Sequence, residues 1–461
     1  MIGRDILTAM LPEHLLLAGI VALLMLEITL RRPRGALAVS IVVVIAAAVA
    51  SLSLAIGGYA SAPFPGQYSV SPADLLAKAI VLGLAVPVLL LSRDEFTESR
   101  FHLLFLSSLY GVCLLLSADS FLTLFIGLEL MSLPVYVLVL LAFRRPQSAE
   151  AALKYLVMGG TASATLLMGA SLLYGGSGSL ALSTFADALA SREAMATSAV
   201  VLVVVAFFLK AAIVPFHTWA PDAYEGASVP VTAYMATIIK AGILLAVVRL
   251  FGVAPVVRPV ADLLAILPLL SIVWGNLAAM RQTSFRRMIA YSSIAHAGYL
   301  FYALLGEGPG RFQAVAFYVL AYGLMNVLAF ASLPHREDDA AEDRLDNLRG
   351  LFDRAPFAAV MIAIAMLSLA GIPPFPGFVA KFLIFRNVIA AGYTTYAVLG
   401  LIGSYLGIYF YLRVIQFMFM SAEVAAADHG RSRRLAMGAT LLCLLPSVVI
   451  SVFPGWVIGQ F

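Results

Sequence analysis

The sequence predicts an all-α polytopic membrane protein of about 14 transmembrane helices, with two inverted five-helix repeats and two broken helices. Three observations carry that prediction. Of 461 residues, 62% are apolar and 12% charged, against about half and a quarter in soluble domains. The apolar residues fall into long runs, most of about the ~20 residues a helix needs to cross the hydrocarbon layer. Proline-rich breaks interrupt the pattern at two places, each beside a lysine. This composition excludes a water-soluble enzyme, a nucleic-acid binder and a disordered scaffold.

In chain order the runs are 14–30, 36–57, 73–91, 101–117, 120–143, 151–174, 195–216, 228–251, 260–280, 288–305, 312–333, 356–390, 395–420 and 435–458. The run 356–390 is too long for one straight helix and is interrupted by Gly371-Ile-Pro-Pro-Phe-Pro-Gly377. The run ending near Pro215 meets a second break at Trp219-Ala-Pro221-Asp222. Residues 178–193 have mixed polarity and read as an interfacial or loop stretch, and 334–355 as the one long polar loop. No strands are expected, and no glycine-rich phosphate loop is present. The expected organisation is a three-helix segment over 1–100, repeats over 101–251 and 252–420, and a final helix in 421–461.

Cys113 and Cys443 lie in apolar runs without ligand spacing, so neither an iron–sulfur cluster nor a zinc site is expected, and they read as small core residues. No cleavable signal peptide is expected, because the first apolar run passes into Arg31, Arg32 and Arg34 without a small-residue cleavage site.

Arginines set the orientation through the bias of cationic residues toward cytoplasmic loops. With the amino terminus outside, 17 of the 24 arginines fall on the cytoplasmic side and six on the other, Arg4, Arg192, Arg249, Arg258, Arg311 and Arg386. An even number of spans then places both termini outside.

The lysines follow a different rule. All five, Lys78, Lys154, Lys210, Lys240 and Lys381, sit in or at the edge of apolar runs while arginines decorate loops. A charge at the bilayer centre costs at least ~2.5–3.5 kcal/mol. Lysine can shed its charge when desolvated, and arginine cannot. Lysines inside and arginines outside suit a membrane protein that handles protons. Packing against a buried carboxylate or carbonyl would account for one such lysine, but less readily for several. Glu129 lies mid-span with no charge near it in sequence and calls for a cation on another helix, Lys210 or Lys154. Glu150 stands one helical turn before Lys154, a spacing that also suits a surface ion pair. Glu27 is close enough to the interface to snorkel.

Pro215 follows Lys210 by five residues and Pro376 precedes Lys381 by five. Freed backbone groups at membrane depth are tolerated only inside protein or a wet cavity, and broken helices beside ionisable groups mark ion-translocating folds built from inverted repeats. The intervals agree loosely between the halves: 81 residues from Glu129 to Lys210 and 85 from His296 to Lys381, then 30 from Lys210 to Lys240 and 32 from Lys381 to Arg413. His217, after the first break, and His296, near Ser292, Ser293 and Tyr299, can pass protons near neutral pH or serve packing. No two histidines share a face at metal-ligand spacing.

Phe125-Ile-Gly-Leu-Glu-Leu-Met-Ser-Leu-Pro134, Ala152-Leu-Lys-Tyr155, Lys210-Ala-Ala-Ile-Val-Pro-Phe-His217 and the run from Trp219 to Thr232 together resemble the antiporter-like membrane subunits of respiratory NADH:quinone oxidoreductase, complex I. Ala290-Tyr-Ser-Ser-Ile-Ala-His-Ala-Gly-Tyr299, Leu369-Ala-Gly-Ile-Pro-Pro374, Gly377-Phe-Val-Ala-Lys381 and Tyr411-Leu-Arg413 extend the likeness over roughly 100–420, and it is nearest the subunit N branch. Phe375-Pro376 departs from the small residues common after the Pro-Pro pair, and no lateral carboxy-terminal helix is expected.

The resemblance implies a fourteen-helix proton channel. Its buried acid is Glu129, its switching partner Lys210 and its central relay Lys240. Lys381 lies toward the exit, with Lys154, His217 and His296 at further relay positions. It implies no cofactor in this chain; NADH, FMN, iron–sulfur clusters and quinone belong to partner subunits. The expected partners are neighbouring antiporter-like subunits, small membrane subunits and the lipid of a bacterial inner membrane. A multi-subunit sodium/proton antiporter, a membrane-bound hydrogenase and a structural arm without pumping are the alternatives.

Overall fold

The computed structural model describes residues 2–29, 35–93, 95–96, 98–141, 146–191, 193–252, 254–306, 308, 310–334, 344–420 and 434–461. Arg31, Arg32, Arg34, Arg144, Arg145, Arg192, Arg336, Arg431 and Arg433 lie outside the described residues, as do 335–343 of the long polar loop.

The chain opens with a short helix α1 (Ile2–Ala9), tied to the neighbouring loop where Asp5 accepts hydrogen bonds from Tyr59 at 2.7 Å and Ser61 at 2.8 Å. Then follow α2 (Leu11–Thr29), α3 (Ala36–Ile56), β1 (Ser61–Phe64), β2 (Tyr68–Val70) and α4 (Pro72–Ser92). Next come α5 (Ser99–Leu116), α6 (Phe121–Leu141), α7 (Pro146–Ser177), α8 (Ser183–Ala190), α9 (Ala194–Ala211), α10 (Trp219–Gly226), α11 (Val229–Tyr234) and α12 (Lys240–Phe251). The rest is α13 (Val260–Ala279), α14 (Phe285–Tyr302), α15 (Gly310–Ala331), α16 (Leu351–Arg354), α17 (Pro356–Ala370), α18 (Pro376–Ala390), α19 (Thr394–Met420), α20 (Arg434–Val452) and α21 (Pro454–Ile458).

Among the described residues, 13 helices are long and apolar enough to cross a membrane, counting α11 and α12 as one. The broken pair α17–α18 supplies a fourteenth crossing, so every run read from the sequence has its helix. Proline and polar caps fix several starts. Ser71 and Asp74 form a reciprocal capping box at α4 with Pro72 at its first position, and Ser284 accepts from the Arg287 amide at α14.

One expectation is corrected. Strands were not expected, yet β1 and β2 pair antiparallel through a turn in which Gly66 has φ +72°, a conformation open to glycine. The hairpin caps one end of the bundle, where backbone can pair with itself outside the span. Within the interfacial or loop stretch 178–193, α8 occupies Ser183–Ala190 and buries Phe185 and Leu189.

Burial sorts the helices. The pair α11–α12, with α14 and α15, is buried nearly all round, whereas α2, α3, α19 and α20 bury one stripe and leave leucines, valines and aromatics outward. A helix apolar on every side belongs either in a core or against lipid, and this chain has both kinds. Lys240, at the start of α12, therefore stands on the most enclosed helix of the fold.

Both breaks have the geometry of a helix that stops and restarts inside protein. After α9, Ala212 takes φ 62°, strained for a residue with a Cβ. Trp219 Nε1 donates to the Leu209 carbonyl at 3.0 Å, and Ser271 accepts from the Val214 amide at 2.8 Å. After α17, Gly371 takes φ 83°, and a Cβ there would lie 2.9 Å from Lys381 Cδ. Lys381 Nζ itself donates to the freed Ala370 carbonyl at 2.9 Å. The backbone groups exposed by each break are thus satisfied within the protein.

The segregation of cations is less complete than the sequence suggests. Arg286 and Arg311 are 3% and 1% exposed. Arg311 donates to the carbonyls of Gly306, Phe251, Gly252 and Ala254, closing the carboxy-terminal end of α12 with a fork that always carries charge. Deep arginine here serves as a backbone cap.

Candidate functional site

Glu129 on α6 meets Lys210 on the last turn of α9, with Nζ 3.2 Å from the carboxylate. Ser163 on α7 donates to the same carboxylate oxygen, and Lys210 also donates to Ser132 Oγ at 3.3 Å. Of the two cations considered for Glu129, Lys210 is the partner; Lys154 is not. The Lys210 side chain is 5% exposed and that of Glu129 23%, so the pair is buried on the amine side.

Lys154 stands apart from the other lysines. Its side chain is 45% exposed and bridges Glu150 at 2.7 Å and Asp222 at 2.7 Å. Asp222, on the second half of the broken helix, also accepts from Arg287 at 2.8 Å, and Arg287 reaches Glu225 at 2.8 Å. Of the five lysines only Lys154 is this exposed within the chain, because it lies on a face of α7 that the chain's own helices leave open. Glu27 likewise forms an exposed pair with Arg100, at 3.6 Å.

Lys240 is enclosed. Its ammonium donates to the Ser293 carbonyl at 2.8 Å and to Ser293 Oγ, and among the described residues no carboxylate lies within ion-pair distance. A π-helical turn, Met235–Ile239, runs straight into it. Such turns insert one residue into a helix and are frequent at functional sites. Tyr224 lies 3.3 Å from the same Ser293 hydroxyl.

His296 sits one turn beyond Ser293, bonded through Nδ1 to Tyr318 at 2.7 Å and through Nε2 to Tyr411 at 3.0 Å. Tyr411 in turn lies 2.5 Å from Ser292 Oγ. The nearby serines and Tyr299 therefore do not bond to His296 directly: Ser293 serves Lys240, Ser292 serves Tyr411, and Tyr299 packs edge-on against the imidazole. A cavity of about 10 Å³, the size that holds a single water, lies among His296, Tyr318, Tyr322, Ser368 and Gly377. It touches the second broken helix.

Lys381 donates to Ser404 at 3.0 Å and lies 5.0 Å above the Tyr299 ring. It forms part of the wall of a cleft of about 670 Å³ beside Gly371, Phe378, Phe385 and Tyr405. His217 is held elsewhere, accepting from Trp274 at 3.0 Å. Arg413 donates to the Met280 carbonyl at 2.9 Å and stacks on Phe417, outside the lysine series. No group of three or more metal-ligating side chains occurs among the described residues.

The arrangement is a discontinuous series of ionisable and hydroxyl groups: Glu129–Lys210, then Lys240 with Ser293, then Tyr411–His296–Tyr318, then Lys381. Sequence reasoning missed Tyr318, Tyr411, Ser163, Ser404 and Tyr224, whose hydroxyls are indistinguishable from ordinary packing until their partners are known.

Such a fold and series define an antiporter-like polytopic membrane subunit. A family model described as NADH:quinone oxidoreductase/Mrp antiporter, TM, matches residues 118–407, and the chain belongs to that family. Its relatives include NADH-quinone oxidoreductase subunit N of Pelobacter propionicus, 38% identical over 91% of this chain and 90% of that protein. Subunit N of Deinococcus radiodurans is 36% identical over 86% and 83%. Among solved structures, a chain of respiratory complex I from Thermus thermophilus with bound aureothin matches with TM-score 0.85 and 35% identity, covering 97% of this chain and 98% of that one. A chain of the Mrp complex from Dietzia shares the fold, with TM-score 0.83 and 22% identity over 98% and 96%.

Proposed function

We propose that this chain is a proton-translocating membrane subunit of an NADH:quinone oxidoreductase, working beside other membrane subunits that couple it to redox chemistry elsewhere in the complex. NADH, FMN, iron–sulfur clusters and quinone are bound by those partners, and this chain moves protons. The observation that carries the reading is the buried Glu129–Lys210 pair followed by Lys240 with no carboxylate in reach. The likeness to subunit N relatives along nearly the whole chain supports it.

The mechanism is electrostatic. Glu129 holds the ammonium on Lys210 while the two are paired. When a neighbouring subunit draws the carboxylate away, the amine surrenders its proton toward Lys240. The hydroxyl–imidazole group of Ser293, Tyr411, His296 and Tyr318 lies between Lys240 and Lys381, and repulsion from the next cation drives release at Lys381. Lys154, with Glu150 and Asp222, collects protons at the exposed end of α7, and His217 stands beside the first break as an accessory carrier. Moving one charge against 100 mV costs ~2.3 kcal/mol, less than the ~2.7 kcal/mol of a hundredfold change in proton affinity.

The division into repeats over 101–251 and 252–420 is part of this proposal. Each contains a tight helical hairpin, α5–α6 and α13–α14, followed by a broken helix. Five crossings per unit invert the second relative to the first. Both termini then lie on the outer side of a bacterial inner membrane, as the arginine bias favours.

The test is to purify the complex containing this chain, reconstitute it in vesicles and supply NADH and a quinone. Inward or outward proton movement in step with NADH oxidation is expected. A sodium gradient formed without NADH would instead assign the chain to a sodium/proton antiporter.

A further inference from the structure

A second buried acid–amine site lies in the amino-terminal helices, outside the 118–407 match and outside the relay. Glu13, in the first turn of α2, and Lys78, in the second turn of α4, are both 0% exposed and meet at 2.6 Å. Tyr68, on β2, donates its hydroxyl to Glu13 Oε1 at 2.9 Å and accepts from Lys78 Nζ at 2.8 Å. Glu13 Oε2 is buried with no hydrogen-bond partner among the described residues.

Three features separate this triad from an ordinary staple. A buried ion pair is seldom more stabilising than two well-packed apolar side chains, so its presence calls for another reason. The carboxylate keeps one oxygen open, a vacant acceptor in a place where unsatisfied polar atoms are costly. The composition is close to that of Glu129, Lys210 and their serines: one acid and one amine on separate elements with hydroxyls bonded to them, here a single hydroxyl that bonds both.

The triad is tied to the relay by a rigid path. Asp74, one turn before Lys78 on α4, pairs with Arg249, and Arg249 Nη2 donates to Ser69 Oγ, next to Tyr68, at 2.8 Å. Arg249 lies in the last turn of α12, the helix that begins at Lys240. Nine residues of helix, about 13.5 Å at the usual rise, connect the relay lysine to the arginine that clamps this site.

We propose that Glu13, Lys78 and Tyr68 form a second proton-exchange site, loaded and unloaded in step with Lys240, at the end of the bundle where α2 and α4 begin. This rests on the proton-translocating reading above. In the resting pair the proton is on Lys78. Its transfer breaks an N–H bond at Nζ and forms an O–H bond at Glu13, giving an amine and a carboxylic acid with no change in net charge. A further proton from water restores the ammonium and leaves the site with one positive charge, and release to water reverses that step. Tyr68 keeps its proton throughout.

The test uses the intact complex in vesicles, with Glu13→Leu/Lys78→Met, Tyr68→Phe and Lys240→Met. Replacing both charges removes the pair without leaving a lone buried ion. For Glu13→Leu/Lys78→Met the expected result is normal assembly with the protons moved per NADH cut by at least half. In NADH-driven infrared difference spectra, a carboxyl band is expected that shifts in Tyr68→Phe, a readout that does not depend on the double variant folding. Wild-type pumping in the double variant, or spectra in which Tyr68→Phe moves no carboxyl band, would overturn the proposal. Wild-type pumping in Lys240→Met would bring down the translocation reading itself.

Discussion

Lys240→Met is expected to reduce proton movement by about tenfold or more, the equivalent of ~1.4 kcal/mol or more at the limiting step, while the complex assembles normally. The stability side follows from the site. Lys240 is 5% exposed and holds only the Ser293 carbonyl and hydroxyl, with no carboxylate to offset its charge. Methionine matches the length of the stem and removes a desolvated cation, so the thermal midpoint of the complex should stay level or rise. Met carries no transferable proton, so the series is cut at its most enclosed point. Pumping that falls while stability holds is a signature that misfolding does not produce. Vesicle proton uptake beside a thermal unfolding curve reads both quantities. A normal pumping rate would remove Lys240 from the path.

The Glu129–Lys210 pair should behave differently, because each charge there has a partner. Glu129→Gln leaves Lys210 buried beside Ser132 without its carboxylate, and Lys210→Met leaves the carboxylate with Ser163 but without its amine. Removing one member of a buried pair typically costs ~3–5 kcal/mol, here discounted because Glu129 is about a quarter exposed. Both single variants should therefore lose stability as well as pumping. The double variant Glu129→Gln/Lys210→Met should recover assembly and stability, with pumping still lost. Recovery of both by the double variant would mean that the pair only packs the helices, as in a structural arm. Complex yield, thermal midpoint and vesicle proton uptake across the three variants separate these outcomes.

The spans were legible in the sequence because lipid and core both demand apolar helices, and the runs are close to or above the crossing length. The two breaks were legible because proline cannot continue a helix and leaves its mark at fixed positions beside Lys210 and Lys381. What escaped detection is what depends on partners distant in sequence. Glu13 looks like an interfacial residue next to the amino terminus until Lys78 and Tyr68 close around it. Tyr318 and Tyr411 look like ordinary aromatic packing until His296 falls between them. Lys154 lies in an apolar run, but the face it occupies is decided by which helices pack on α7, and a run of small and apolar residues does not record that. Arg311 was read as a loop charge, whereas the frayed end of α12 needed its fork. The β-hairpin was missed because its strands are only four and three residues long.

Buried lysines and buried arginines differ in what they face. Buried guanidinium at Arg311 satisfies backbone carbonyls and stays charged, and buried amines at Lys240 and Lys381 face hydroxyls and single carbonyls that tolerate either state. Solid-state nitrogen NMR of the lysine side chains in the intact complex tests that distinction most directly, with Lys240→Met and Lys381→Met used to assign the signals by subtraction. A neutral amine population at Lys240 or Lys381 at working pH is the predicted result, and fully cationic signals at both across the working pH range would contradict the mechanism.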